Sequence, residues 1–478
     1  MRPQKRLKHA PDNSNDTIMK ASTWISWALI ALVAAAVKVR AAEESNSLPP
    51  PLKKFVVAKT KQIHRAAERF GVEVPPEVED YLKAAQSGDW MQALGMYSTV
   101  RNSWPDPEDP DLKNLKSIAG PCILEIQLAL EQIMDTDPDL ALKLGDSLMA
   151  SVPRGAIYFG GTDPGRGLPT ALSASHENGD PFYTITQNGL ADGTYLNYLR
   201  EIYGRANYIP SSDDSQKAFQ DYLSDAQRRL EHDRDHPKEP RQLKPGEDVR
   251  MNKNRVTVSG QVAVMAINGL LAKVIFDQNP DRQFFVEESF PLDWMYPHLA
   301  PHGLIMRLHR EPLAEISAAE VEKDLAYWKK QLASLVGDWV KPETTLDEIS
   351  RFVRKRYLDH NLAGFEGNEK YLQNEKIRKA YGKLRSSIAG VYAWQAAQAK
   401  DPKSKARMKQ AAEAAFKQAL VLSPESPEAV FRFVNLLLED KRKTDGLKIA
   451  ELAADVDPGS DSFANLVTSL KQPEIKSP

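Results

Sequence analysis

Two prolines, Pro424 and Pro458, stand 34 residues apart, and each closes the same helical phrase. Counting back from Pro424 meets Ala419, Phe416 and Ala412, and counting back from Pro458 meets Ala453, Ala450 and Gly446 at the same offsets. Small residues on one helix let a neighbour approach closely. Proline ends a helix because it lacks the amide hydrogen and its ring crowds the preceding turn. A phrase repeated at such a period marks a helix pair that cannot bury its apolar side alone and must stack on its neighbours. This constrains the end of the chain to stacked helices, an architecture that builds a concave binding surface and needs no catalytic residue.

The phrase resembles the tetratricopeptide repeat, whose second helix carries small residues where it packs on the first and a proline where it ends. Gly390, Tyr392 and Trp394 supply the small-and-aromatic first helix of the penultimate repeat, and 462–470 fits a capping helix. A charged stretch at 400–407 reads as a corner longer than the standard one. Nearer the start, Tyr81, Ala85, Gly88, Asp89, Trp90, Ala93 and Tyr97 are similar to one more unit, with Gly88-Asp89 at the corner between its helices. The resemblance implies protein partners that dock on the helical repeats.

The N-terminus carries a different signal. Arg2, Lys5, Arg6, Lys8 and Lys20 precede an apolar run from Trp24 to Val37, followed by small residues around Ala34 to Ala36 and at Ala41 and Ala42. That order is the layout of an export signal, and Met19 offers an alternative start. The run is shorter than the roughly 20 apolar residues of a comfortable membrane span. Cleavage is therefore expected over anchoring, although Lys38 and Arg40 sit where a clean cleavage site prefers small residues. Pro49-Pro50-Pro51 reads as a linker, and no later stretch reads as apolar enough to cross a bilayer. The expected location is periplasmic or cell-envelope, with membrane contact only through an uncleaved N-terminal segment.

At 478 residues and 42% hydrophobic, the chain has material for two or three cores. A net charge of −2 removes the electrostatic reason to expect nucleic acid. The single cysteine, Cys122, excludes an intramolecular disulfide and is followed by Ile123, Leu124 and Ile126, so a buried thiol is expected. A helical hairpin is expected at 112–134 and 138–150, where Asp137-Pro138 forms a natural helix start.

From about Pro153 the texture changes. Strands are expected at 156–159, 182–186, 255–258, 284–287 and 304–308, and helices at 168–175, 193–203, 214–232, 261–276 and 292–299. Strand and helix in alternation imply an α/β layer with a largely parallel sheet. The proline- and charge-rich stretch 228–254 reads as an exposed excursion. Beyond Pro312 helices are expected at 318–336, 345–357 and 370–399.

The expected fold class is thus α+α/β, with helical tetratricopeptide-like hairpins flanking a central α/β domain whose sheet is mostly parallel. By segment, 1–42 is an export signal or anchor, 43–52 a proline-rich linker, and 53–152 a helical tetratricopeptide-like region. The α/β domain spans 153–312, a helical connector 313–378, the repeats with their capping helix 379–470, and a frayed tail 471–478.

Candidate chemistry concentrates after the first expected strand, at Gly160-Gly161-Thr162-Asp163-Pro164-Gly165-Arg166-Gly167. A glycine-rich strand-to-helix turn aims amide groups at an anion, so a phosphate or sugar fits there. In open α/β sheets ligands lie beyond the carboxyl ends of the strands, where this turn would sit. It lacks the lysine and Ser/Thr ending of a nucleotide-binding loop, and its glycine spacing departs from the dinucleotide fingerprint. A structural turn held by Asp163 and Arg166 is the competing reading. Gln187, Asn188 and Glu287 close later strands at the same expected edge, so the candidate ligand set is Gly161, Thr162, Asp163, Arg166, Gln187, Asn188 and Glu287. Glu287 and Glu288 are adjacent and on a strand face opposite sides, which denies them one shared acid/base site. His298 and His302 are separated by Pro301, which prevents the regular helix that would present both to a metal. Trp294, Tyr296, Trp328 and Trp394 read as core anchors. No catalytic constellation, metal or cofactor is expected.

This region also resembles the soluble part of large membrane glycosyltransferases related to protein O-mannosyltransferases. The resemblance rests on Gly161-Thr162-Asp163, on Tyr195-Leu196-Asn197-Tyr198-Leu199-Arg200, and on Phe290, Leu292-Asp293-Trp294 and His302-Gly303-Leu304. The sequence lacks the multiple spans that hold a lipid-linked donor in such enzymes. What the resemblance implies is therefore a soluble accessory or substrate-contacting role, beside the main expectation of an exported binding scaffold.

Overall fold

The computed structural model describes residues 47–103, 109–173, 181–252, 255–287 and 292–472. The expected export signal, the tail beyond 472, and Glu288 lie outside these. Helix Pro50–Phe70 opens the described chain with proline in its first turn, where an amide hydrogen is not needed. The expected linker at 43–52 is thus corrected at its end: Leu52 is fully buried, and the helix lays it with Val56 and Ile63 into the core beside helix Pro110–Ile133. Helices Pro76–Ser87 and Trp90–Ser103 form a pair joined at Gly88-Asp89. Helix Pro138–Ala150 begins as read, with the Asp137 carboxylate accepting from the Leu140 amide at 3.1 Å.

The central sheet has five strands in the order β2-β1-β5-β7-β6, where β1 is Ile157–Gly160, β2 Tyr183–Thr186, β5 Phe284–Glu287, β6 Leu299–His302 and β7 Ile305–Leu308. β1 pairs in parallel with β2 and β5, whereas β7 runs antiparallel to both β5 and β6. The sheet is therefore mixed, which corrects the largely parallel expectation. The reason lies at 292–302: a helix expected at 292–299 is instead a short turn, Tyr296–His298, leading into β6, and Gly303 lets β6 fold back on β7. Helix Asp163–Leu172 begins five residues earlier than expected, so most of the glycine-rich stretch is helical.

The charged excursion is exposed over most of 234–246, as read, but both its ends carry regular structure. Helix Ser212–Asp235 extends through its first part, and β3 (Asp248–Asn252) pairs antiparallel with β4 (Arg255–Ser259). Glu247 accepts from Arg229 at 2.5 and 2.7 Å and from Tyr222 at 2.7 Å, and these bonds, led by Arg229, lower its carboxyl to about 2. Helix Gly260–Gln278 follows. With mean hydropathy 1.3 it is long and apolar enough to cross a membrane by length and composition, correcting the expectation that no later stretch is. Here it packs on helix Ser212–Asp235 and on the turn Gln187–Gly189.

The C-terminal part is a run of helices: Ala318–Leu335, Leu346–Val353 continued by a wider turn Arg354–Leu358, Glu369–Gln373, Glu375–Gln398, Pro402–Leu422, Pro427–Glu439, Lys443–Val456 and Asp461–Lys471. The long corner expected at 400–407 is not one. Asp401 caps the next helix by accepting from the Ser404 amide at 2.8 Å, and Pro402 opens it, leaving Ala399 to Asp401 as the corner. Helices Glu375–Gln398 and Pro402–Leu422 pack along their length. The Pro424 corner is buried, with the Tyr357 and Tyr371 hydroxyls donating to the Val421 and Leu422 carbonyls at 2.7 and 3.0 Å. One continuous apolar core joins both helical regions to the sheet. Tyr296 stacks on Trp394 across that junction, and Trp328 is fully buried.

Candidate functional site

The three parallel strands end in register, with Gly160 opposite both Thr186 and Glu287. From β1 the chain turns toward β2, while β5 leaves toward the opposite side of the sheet, so the ends of β1 and β5 form the switch point at which open sheets create a crevice. Gly161 and Thr162 make the whole connection between β1 and helix Asp163–Leu172. Thr162 caps that helix, its hydroxyl accepting from the Gly165 amide at 3.1 Å.

The anion that this turn receives is the protein's own. Glu287 Oε2 accepts from the Gly161 and Thr162 amides at 3.3 and 3.1 Å, and Oε1 accepts from the Thr162 hydroxyl at 2.7 Å. The side chain is buried, at 3% exposure. Burial pushes its carboxyl above the usual range, opposed by the hydrogen bonds from Thr162 and Gly161 and by the Lys383 charge. A Cβ on Gly165 would lie 1.7 Å from Glu287 Oε2, so glycine at this position is what lets the carboxylate in. Tyr158 donates to the Gly165 carbonyl at 2.7 Å and fixes the same turn from below.

The remaining candidates divide. Asn188 donates to the Gly161 carbonyl at 2.7 Å, and its own carbonyl accepts from Asn268 at 3.0 Å. Gln187 is fully buried in the turn after β2. Asp163 and Arg166 pair at 2.6 Å on the outer side of the first helical turn, as the structural reading had them. Gly161, Thr162, Asn188 and Glu287 are thus brought into one network, and the Asp163–Arg166 pair stands beside it. Asn268 and Tyr195, whose hydroxyl accepts from the Thr186 amide at 2.7 Å and is pushed up to about 12 by burial, complete the edge. Asn268 carried no sequence signal, and Tyr195 was singled out only within the phrase 195–200 and not as a site residue, because each reaches the site only through tertiary packing.

The histidines do not converge. His298 contacts the His309 carbonyl through Nδ1 at 2.8 Å, and His302 packs on the Phe285 ring, where burial lowers its basicity. Cys122 is buried, as expected. Among the described residues no group of three or more His, Cys, Asp or Glu side chains is placed to hold a metal. A second buried polar cluster was missed by the sequence reading. Lys59 donates to Tyr198 at 2.7 Å and pairs with Glu125 at 2.7 Å, and Tyr198 donates to the same carboxylate at 2.8 Å. It ties helices Pro50–Phe70, Pro110–Ile133 and Gly193–Tyr203 together, a structural job for charges that burial would otherwise penalise.

Comparison with family models, with curated proteins and with solved structures returned no match to this chain.

Proposed function

We propose that the chain is an exported interaction scaffold of the cell envelope, which presents tetratricopeptide-like helix pairs to a protein partner. The observation that carries this reading is the stacking of the C-terminal helices. Successive first helices are tied side by side by Arg432 donating to the Ser386 carbonyl at 3.4 Å and by Lys383 paired with Glu428 at 3.0 Å. On helix Pro427–Glu439 this leaves Asn435 and Leu438, one turn apart, open to solvent, with Leu438 at 37% exposure. Stacked pairs bind along such surfaces. Export rests on the order of charged, apolar and small residues at the N-terminus.

The test is a photo-crosslinking amino acid placed at 435 or 438 of the intact chain in its own cells, with the exposed position 213 as control. The expected result is one and the same protein adduct from both repeat positions and none from 213. Adducts that are absent at 435 and 438, or equal at 213, refute the reading.

A sugar or phosphate role for the turn after β1 is the second reading, and the switch-point position of that turn favours it. Its weakness is that the amides which would hold the anion already serve Glu287.

A further inference from the structure

Helix Pro50–Phe70 carries Lys53, Lys54, Lys59, Lys61, Arg65 and Arg69 and meets its first acid only at Glu68. Lys59 is buried against Glu125, and Arg69 pairs with Glu201. Arg65 is engaged as well, donating to the Lys61 carbonyl at 3.3 Å. Lys53, Lys54 and Lys61 are different: all three are exposed, and their ammonium groups meet no hydrogen-bonding or ionic partner among the described residues. We propose that this face of the helix holds the protein against an anionic lipid bilayer.

Lys54 and Lys61 fall on one line of the helix two turns apart, a separation of about 10 Å, with Lys53 flanking them. Helix stability does not ask for positive charge there. The first turn has no acid and no side-chain cap, and Lys53 and Lys54 stand near the positive end of the helix, where cations are disfavoured. Ordinary solvated faces mix both signs. A local rule broken without a structural return points to function at that place. On the opposite side Leu52, Phe55, Val56 and Ile63 are buried in the core, so the helix has no apolar face left to insert and the contact is made at the lipid headgroups.

A bilayer is favoured over other polyanions by the chain ahead of the helix, and the inference rests on the proposed export reading of the N-terminus. The apolar run Trp24–Val37 ends 13 residues before Pro50, a length that spans at most about 45 Å. Between them Lys38 and Arg40 cancel Glu43 and Glu44, so the helix supplies the positive surplus. A membrane that receives the run lies within reach of the lysines, and after cleavage the lysines are what remains to keep the protein at its surface. The net charge of −2 makes nucleic acid the poorer partner. Each lysine close to an anionic bilayer strengthens association about fivefold, hence about a hundredfold for the three.

The test is partitioning of the full chain onto phosphatidylcholine vesicles and onto vesicles of phosphatidylcholine and phosphatidylglycerol in equal parts. Neutral vesicles report the apolar run by itself, and the anionic-to-neutral ratio reports the lysines, which separates failure of the export reading from failure of this one. A ratio of about a hundred is expected at low salt, falling steeply as added salt screens the charges. Lys53→Gln/Lys54→Gln/Lys61→Gln should abolish the preference. Lys329→Gln/Lys330→Gln/Lys403→Gln, equal in charge and exposed on other helices, should keep it. The unfolding midpoint of the first variant should hold or rise, because cations leave the positive end of the helix. If it falls, Lys61→Gln alone carries the comparison, with an expected loss of about fivefold. The proposal is overturned by the absence of a preference for anionic vesicles, by an equal preference in the Lys53/Lys54/Lys61 variant, by an equal loss in the other variant, or by a DNA duplex that strips the protein from the vesicles at equal phosphate concentration.

Discussion

Gly165 shows how one missing methyl group decides what occupies a turn. With alanine there, Glu287 must leave its amide donors or the helix must shift, because the added Cβ would sit 1.7 Å from the carboxylate. Gly165→Ala should cost about 1–3 kcal/mol, the usual range for overpacking, measured as a fall in the denaturation midpoint. Gly95→Ala is the contrast: nothing lies within 4 Å of its added Cβ, and in an exposed helix interior it should stabilise by about 0.5–1 kcal/mol. Glu287 also sets a pH dependence. An acid with a raised folded value holds its proton more tightly when folded, so its stabilising contribution is complete below its unfolded value, near 4.5, and is lost as pH climbs through the raised value. Glu287→Gln should flatten that decline, and equal slopes for both proteins would remove burial as the cause. At this scale the turn itself was legible in the sequence, because glycine and threonine before a helix have a local meaning. Its filling was not, because Glu287 lies 125 residues from Thr162 and arrives only through β5 pairing with β1.

Among the elements, helix Ala318–Leu335 is joined to the C-terminal helices by a buried ion pair. Arg385 Nη1 meets Asp324 Oδ2 at 2.8 Å, Arg385 Nε donates to Gln418 at 2.7 Å, and Tyr392 donates to Asp324 at 2.9 Å. Breaking such a pair leaves a buried charge without its counterion, so Asp324→Ala should cost about 3–5 kcal/mol, while Asp324→Leu with Arg385→Met should cost much less. Urea denaturation of the single and double variants checks this, and additive losses would contradict it. Helix starts were the legible elements: Asp137-Pro138 gave the boundary of its helix to the residue, since cap and first-turn proline act locally. The same signal at Asp401-Pro402 was overlooked because the charged residues after it mimic a loop, though on a helix they form a solvated face. β6 was illegible for a different reason. Four residues containing a proline and a histidine have little strand character, and only pairing with β7 makes them one.

For the whole molecule, the helical ends are not independent modules. Lys370 pairs with Asp137 at 3.1 Å and Lys376 with Asp135 at 2.5 Å, and the core beneath them is continuous. Exposed pairs of this kind add little stability, so the shared core is what binds the parts. Limited proteolysis should therefore release no stable fragment matching 379–470, and a resistant band of that size would contradict the continuity. The ends of the helices before Pro424 and Pro458 were legible because a proline stops a helix by local sterics. The burial of the Pro424 corner was not, since Tyr357, Tyr371 and Gly382, whose added Cβ would lie 2.7 Å from Ser423, act on that corner from remote positions. The C-terminal helices are therefore fastened twice, at the buried Pro424 corner and again where Arg354 pairs with Asp455 and Lys448 with Asp347, each at 2.6 Å. An inserted helix pair should be tolerated after Pro458, where Gly459 is exposed, and refused at Pro424, where it would break the burial that both fastenings enclose.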